Sequence, residues 1–123
     1  MLDDMFSEGS SQNEFWLTYD DGVPAAVAYC VPEPMTEGTC NLLLIAVHAD
    51  RQGEGIGTQI MAYVEAKLAA EGVRVLLVET SGTEQFVNTR AFYSHLGYDE
   101  EARIREYYDV GDDKVVFRKA LTA

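Results

Sequence analysis

The seven residues Asn41-Leu-Leu-Leu-Ile-Ala-Val47 form an uninterrupted apolar run of strand length, and together with the glycine-rich segment after them they leave few folds open. Such a run reads as a central strand buried on both faces. After the segment Arg51-Gln-Gly-Glu-Gly-Ile-Gly-Thr58, apolar residues recur at helical spacing at Ile56, Ile60, Met61, Val64 and Leu68, with Glu65, Lys67 and Glu71 elsewhere around the wheel. Gly72 is a natural helix stop, and Val73 to Thr80 supplies a second buried strand. Strand, crossover helix and strand within about 40 residues make a βαβ unit, with parallel strands and a right-handed crossover.

The flanks read as antiparallel. Phe15 to Tyr19 is rich in strand formers, Asp20-Asp21-Gly22 is a turn, and Val23 to Val31 returns, with Pro24 tolerable only at its start. Pro32 to Gly38 is a turn-rich connection. A second helix is expected from Glu84 to Leu96, closed by Gly97, and a final hairpin from Ala102 to Tyr108 and Lys114 to Leu121. Residues Met1 to Glu14 read as a tail or the worn end of a helix. With 123 residues the expectation is one α/β domain over the whole chain, built on a mixed sheet.

Composition narrows the partners. The chain holds 21 Asp plus Glu against 9 Lys plus Arg, a net charge of -12. Nucleic-acid binding relies on basic patches, so this balance argues against DNA or RNA, while its field attracts cationic amines. The same charge also serves plain solubility. No apolar run reaches the ~18–20 residues that span a bilayer, and the acidic start is unlike a signal peptide. A soluble, cytoplasmic protein with no membrane partner is the expectation. Cys30 and Cys40 lack CxxC spacing and a nearby His, so neither a metal site nor a disulfide framework is suggested.

The glycine-rich segment sits where a strand hands over to a helix, and free N–H groups at a helix start receive phosphate well. It lacks the Lys-Ser/Thr of a Walker A loop, and a G-x-G-x-x-G reading from Gly55 ends on Ile60. Gln52-Gly-Glu-Gly-Ile-Gly57 does match Gln/Arg-x-x-Gly-x-Gly/Ala. Placed after Ile45-Ala46-Val47 and before Ala91-Phe-Tyr-Ser-His-Leu-Gly-Tyr98, it resembles the pyrophosphate loop of the GNAT superfamily of acyl-CoA-dependent N-acetyltransferases. The resemblance runs from about Asn41 to Leu121.

That resemblance implies a fold in which acetyl-CoA lies between two parallel strands that splay apart, with antiparallel flanks. It places the pyrophosphate on the main chain of Gln52, Gly53, Glu54, Gly55, Ile56, Gly57 and Thr58. It also places the pantetheine arm along Ile45-Ala46-Val47, through the main chain of Ile45 and Val47. The Val47 N–H would polarise the thioester carbonyl, and such a donor can contribute ~3–4 kcal/mol. Arg51 and Arg90 are candidates for the outer phosphates of CoA, and equally for surface ion pairs. Tyr93 matches the tyrosine that protonates the departing thiolate; alternatively it is core beside Phe92.

A lysine-like amine is over ~99.9% protonated at pH 7, and shedding that proton costs ~4–5 kcal/mol. Glu79 is the candidate base, directly or through water, with His48 and Asp50 as alternatives. His95 reads as a charge partner of the helix C-terminus. No metal is implied.

Two departures from the family stand out. Where relatives carry an asparagine seven residues before the helix tyrosine, this chain has Phe86, with Asn88 two residues later. Only Met1 to Glu14 precede the first strand, too short for the strand and helices that build much of the acceptor site. That leaves sheet surface exposed and a homodimer conceivable. The leading expectation is an N-acetyltransferase acting on a cationic amine, and the runner-up is a non-catalytic acyl-CoA-binding regulatory module.

Overall fold

Apolar alternation in Glu14–Asp20 puts Phe15, Leu17 and Tyr19 on one face, and all three are buried while Trp16 points away. In the computed structural model, which describes residues 6–11, 14–22 and 24–121, this strand is β2. Before it, Phe6–Ser11 forms β1, paired antiparallel with β2 from Phe6↔Tyr19 to Ser11↔Glu14. The tail or worn helix expected over residues 1–14 is therefore a strand across Phe6–Ser11, and Met1 to Met5 lie outside the described residues. Phe6 is drawn in by its ring, stacked on Tyr63 at 4.4 Å and edge-on to Tyr19 at 5.2 Å.

The other elements are β3 (Pro24–Pro32), β4 (Thr39–Val47), α1 (Ile56–Ala70), β5 (Val75–Ser81), α2 (Val87–His95), β6 (Asp99–Asp109) and β7 (Asp112–Ala120). They build one seven-stranded sheet in the order β1-β2-β3-β4-β5-β7-β6. Only the central pair β4–β5 is parallel. The second helix is shorter than expected, because Glu84–Phe86 is a 3-10 turn leading into α2.

Both helices lie on one face. Ile56, Ile60, Met61, Val64 and Leu68 of α1 and Tyr93 of α2 share a core with Leu17, Ala28, Leu42, Val78 and Phe117 of the strands. Each helix ends in the same device. Gly72 (φ 89°) donates to Ala69 O while Val73 N–H reaches Leu68 O; Gly97 (φ 92°) donates to Ser94 O while Tyr98 N–H reaches Tyr93 O. In the second case the Tyr98 ring also packs on Tyr93, with centroids 5.7 Å apart. The sequence Phe92-Tyr-Ser-His-Leu-Gly-Tyr98 thus stops the helix and pins Tyr93 in one step.

The decisive irregularity is in the middle of the sheet. Tyr29 faces Leu44 and Cys30 faces Leu42, so Leu43 is an extra residue, a bulge in β4. At the same place the parallel ladder ends, its last pair being Leu42↔Val78. From there β4 follows β3 to Val47↔Ala26, and β5 follows β7 to Ser81↔Lys114. The two central strands part. This corrects the expectation of a run buried on both faces: Cys40, Asn41 and Leu42 are buried, but Leu43 is 51% and Leu44 41% exposed.

Among the described residues no helix is long and apolar enough to cross a membrane, and no group of three or more His, Cys, Asp or Glu is placed to hold a metal. Cys30 and Cys40 are both buried free thiols, and burial pushes Cys30 up to about 12.

Candidate active site

Where β4 and β5 separate, a cleft of about 540 Å³ opens on the helical side of the sheet. Its floor is Ile45 and Val47, its lip is the turn from Arg51 to Thr58, and its far wall is Asn88, Thr89, Phe92 and Tyr93 of α2. The His48 N–H donates to Ala25 O at 2.7 Å, which fixes that residue's main chain toward β3. Strand alternation then turns the N–H groups of Val47 and Ile45 to the opposite edge, where the parting of β5 leaves no strand partner among the described residues. Gln52 adds a brace, its Nε2 donating to Val47 O at 3.2 Å.

The lip is made by glycine. Gly53 and Gly55 take φ of 86° and 81°, a left-handed region that side chains enter at a cost. Gly55 is also the N-cap of α1 and offers no side-chain cap, so among the described residues no side chain caps the first N–H groups of this 15-residue helix, which begins at the cleft. Gly57 serves close approach instead: a Cβ there would lie 3.3 Å from the Phe92 ring. Substituting Gly55→Ala is expected to destabilise the fold by about 1–2 kcal/mol, since nothing crowds a methyl there and only the backbone conformation is strained. Urea denaturation measures this, and an unchanged midpoint would remove the strain argument.

Tyr93 is 2% exposed, its ring wedged against Phe92, Tyr98 and Phe117 at 5.3–5.7 Å. Burial pushes its phenol up to about 12, so the proton is firmly held at neutral pH. Its hydroxyl has no hydrogen-bond partner among the described residues, although the side chain lines the cleft.

The remaining candidates sit differently. Arg51 lines the cleft while bound to Asp21 at 2.6 Å and Glu54 at 2.9 Å. Arg90 stands outside the lining, its Nη1 clamping the carbonyls of Ser81 and Thr83 at 2.9 and 2.8 Å. Ala46 and Glu54 are also outside it. His48 accepts from the Asp50 N–H at 3.1 Å, with both side chains exposed.

Glu79 lies on the other, helix-free face of the sheet, at the first β5 position beyond the last parallel pair. Its Oε2 accepts from Asn41 Nδ2 at 2.9 Å, and its Oε1 meets Lys114 Nζ at 3.0 Å. Sequence reasoning passed over Thr89 and Phe92 as cleft residues and set Asn88 aside as two positions off the family's asparagine, yet all three line the cleft. The signal was helical spacing counted back from Tyr93, which puts positions one, four and five residues earlier on one side of α2.

A mixed sheet whose two central parallel strands part over a glycine-rich helix start is the architecture of acyl-CoA N-acyltransferases. The chain belongs to the GNAT family: the model of the acetyltransferase (GNAT) domain matches residues 11–100. It is 31% identical over 107 residues to an amino-acid acetyltransferase of Ralstonia nicotianae, covering 87% of this chain. The chain spans only about a quarter (24%) of that relative's length. It superposes with a TM-score of 0.84 on a crystal structure assigned to GNAT acetyltransferases from Desulfovibrio desulfuricans, at 35% identity, covering 89% of this chain and 69% of that one. A Bacillus subtilis acetyltransferase solved in complex with CoA gives 0.77 at 16% identity, covering 89% and 78%, a likeness of fold alone.

Proposed function

We propose that this chain transfers the acetyl group of acetyl-CoA to a primary amine by direct attack. The observation that carries the reading is the parted strand edge at Ile45 and Val47 lying directly beside the uncapped helix start at Gly55. The turn Gln52 to Thr58 takes the pyrophosphate on its main-chain N–H groups, and the edge of β4 takes the pantetheine arm. The Val47 N–H is the donor to the oxyanion, and Tyr93, with its proton held and its hydroxyl unpartnered among the described residues, delivers that proton to the thiolate. Glu79 receives the acceptor's proton from the opposite face of the sheet. Arg51 can reach the outer phosphates only by exchanging Asp21 or Glu54 for them. No step calls for a metal.

The acidic chain favours a cationic acceptor, and the name of the Ralstonia relative adds amino acids to those worth testing. The test is thiol release from acetyl-CoA in the presence of 1,5-diaminopentane, spermidine and L-amino acids. Release that depends on at least one of these amines is expected. Tight acetyl-CoA binding with no amine-dependent release would instead favour the acyl-CoA-binding regulatory module.

A further inference from the structure

On the helix-free face the protein already holds a primary ammonium against the candidate base. Lys114 sits at the start of β7, its side chain 12% exposed, with Nζ 3.0 Å from Glu79 Oε1 and 4.3 Å from the Tyr107 ring centroid. A carboxylate on one side and an aromatic face on the other is the chemistry that recognises alkylammonium groups. The carboxylate is held from below as well. Asn41, 2% exposed, gives its Nδ2 to Glu79 and to Glu33, so Glu79 cannot turn away.

The aromatic roof is built at a cost. Pairing of β6 with β7 jumps from Ile104↔Lys114 to Asp109↔Asp112, so the residues between bow outward. Glu106 in that bow has φ 53°, a left-handed value that a non-glycine residue enters only at a cost. Asp113 offsets part of this by accepting from the Glu106 N–H at 2.9 Å and from Arg103 at 2.9 Å. The result sets Tyr107 over Lys114.

A general base must lie within hydrogen-bond reach of the nitrogen it deprotonates. If Glu79 is that base, the nitrogen in the acceptor position of the resting protein is that of Lys114. We propose that Lys114 is an internal occupant of the acceptor site, which an incoming amine must displace, and that it is itself acetylated when acetyl-CoA is bound and no acceptor is present. This rests on the acetyl-transfer reading above.

The step balances. Glu79 takes one proton from the Lys114 ammonium and passes it to solvent. The freed amine attacks the thioester carbon, a C–N bond forms and the C–S bond breaks. The thiolate takes the Tyr93 proton, and the second N–H proton restores the phenol. An ammonium and a thioester become an amide, a thiol and one released proton. The acetyl-lysine has no charge to pair with Glu79, so acetylation breaks the Glu79–Lys114 ion pair.

The chain contains three lysines, so it carries its own controls. Lys67 and Lys119 are also ion-paired, at 25% and 28% exposure, and both are more accessible than Lys114. The purified chain is incubated with acetyl-CoA alone, and acetylation at each lysine is quantified by peptide mass spectrometry. Acetylation of Lys114 at least about tenfold above the other two is expected, collapsing in Glu79→Gln and slowed by added 1,5-diaminopentane. Equal acetylation of all three lysines, or more on Lys67 and Lys119, would mean chemical reaction only and would overturn the proposal. An unmodified Lys114 overturns it too. Amine-dependent thiol release measured on the same sample then tells whether the acetyl-transfer reading stands without it.

Discussion

Replacing Tyr93 with Phe is expected to lower amine-dependent thiol release by about 10²–10³-fold while leaving acetyl-CoA affinity within a factor of about three. The substitution removes one oxygen and nothing else. The ring keeps its contacts with Phe92, Tyr98 and Phe117, no cavity forms, and no hydrogen bond within the described residues is broken. Folding stability should therefore stay within about 1 kcal/mol. What is lost is a proton held at a pKa of about 12 at the edge of the cleft. A thiolate leaving without it retains a full charge in a partly enclosed site, which general-acid catalysis normally relieves. Turnover and calorimetric Kd are measured on the same preparation. A variant that keeps full turnover would return Tyr93 to the core as an ordinary aromatic.

Phe117→Ala is expected to remove about 3–5 kcal/mol of stability, a large share of what a domain this size possesses. Phe117 is 1% exposed on β7, paired across to Val78 of β5 and to Glu100 of β6. Its ring also supports Tyr93 from beneath, at 5.7 Å. Truncation opens a void below the α2 wall of the cleft, so turnover of any folded fraction should fall as well. Urea denaturation followed by circular dichroism reads the loss. A change below about 1 kcal/mol would mean that the core collapses around the void and that Tyr93 does not depend on this support.

The features legible in the sequence are those written locally. The α1 stripe from Ile56 to Leu68, the glycines of the turn and the Gly97 stop are each set by residues a few positions apart, and the structure places them as the spacing implies. The bulge at Leu43 is different, because it exists only as a mismatch between β4 and β3. Seven apolar residues in a row look doubly buried whether or not a neighbouring strand leaves halfway along. Ser7-Glu-Gly-Ser10 has little strand propensity, and β1 is recruited by the open edge of β2 and the aromatic contacts of Phe6.

The candidate site divides in the same way. The turn and Tyr93 belong to contiguous motifs, whereas the partners of Glu79 are Asn41, 38 positions earlier, and Lys114 on β7. No local pattern joins them. Arg51 and Arg90 show why a cationic residue near a phosphate loop is an ambiguous sign: Asp21 lies 30 positions from Arg51, and the Arg90 guanidinium is spent on two main-chain carbonyls.

In the proposed function, the parted edge of β4 and the uncapped start of α1 together hold acetyl-CoA. Isothermal titration calorimetry of the chain with acetyl-CoA, CoA and ATP tests it most directly. Micromolar binding of acetyl-CoA and CoA with no heat from ATP is the expected result, since all three carry phosphates but only the first two carry a pantetheine arm for Ile45 and Val47. Equal binding of ATP, or no binding of acetyl-CoA, would contradict the account.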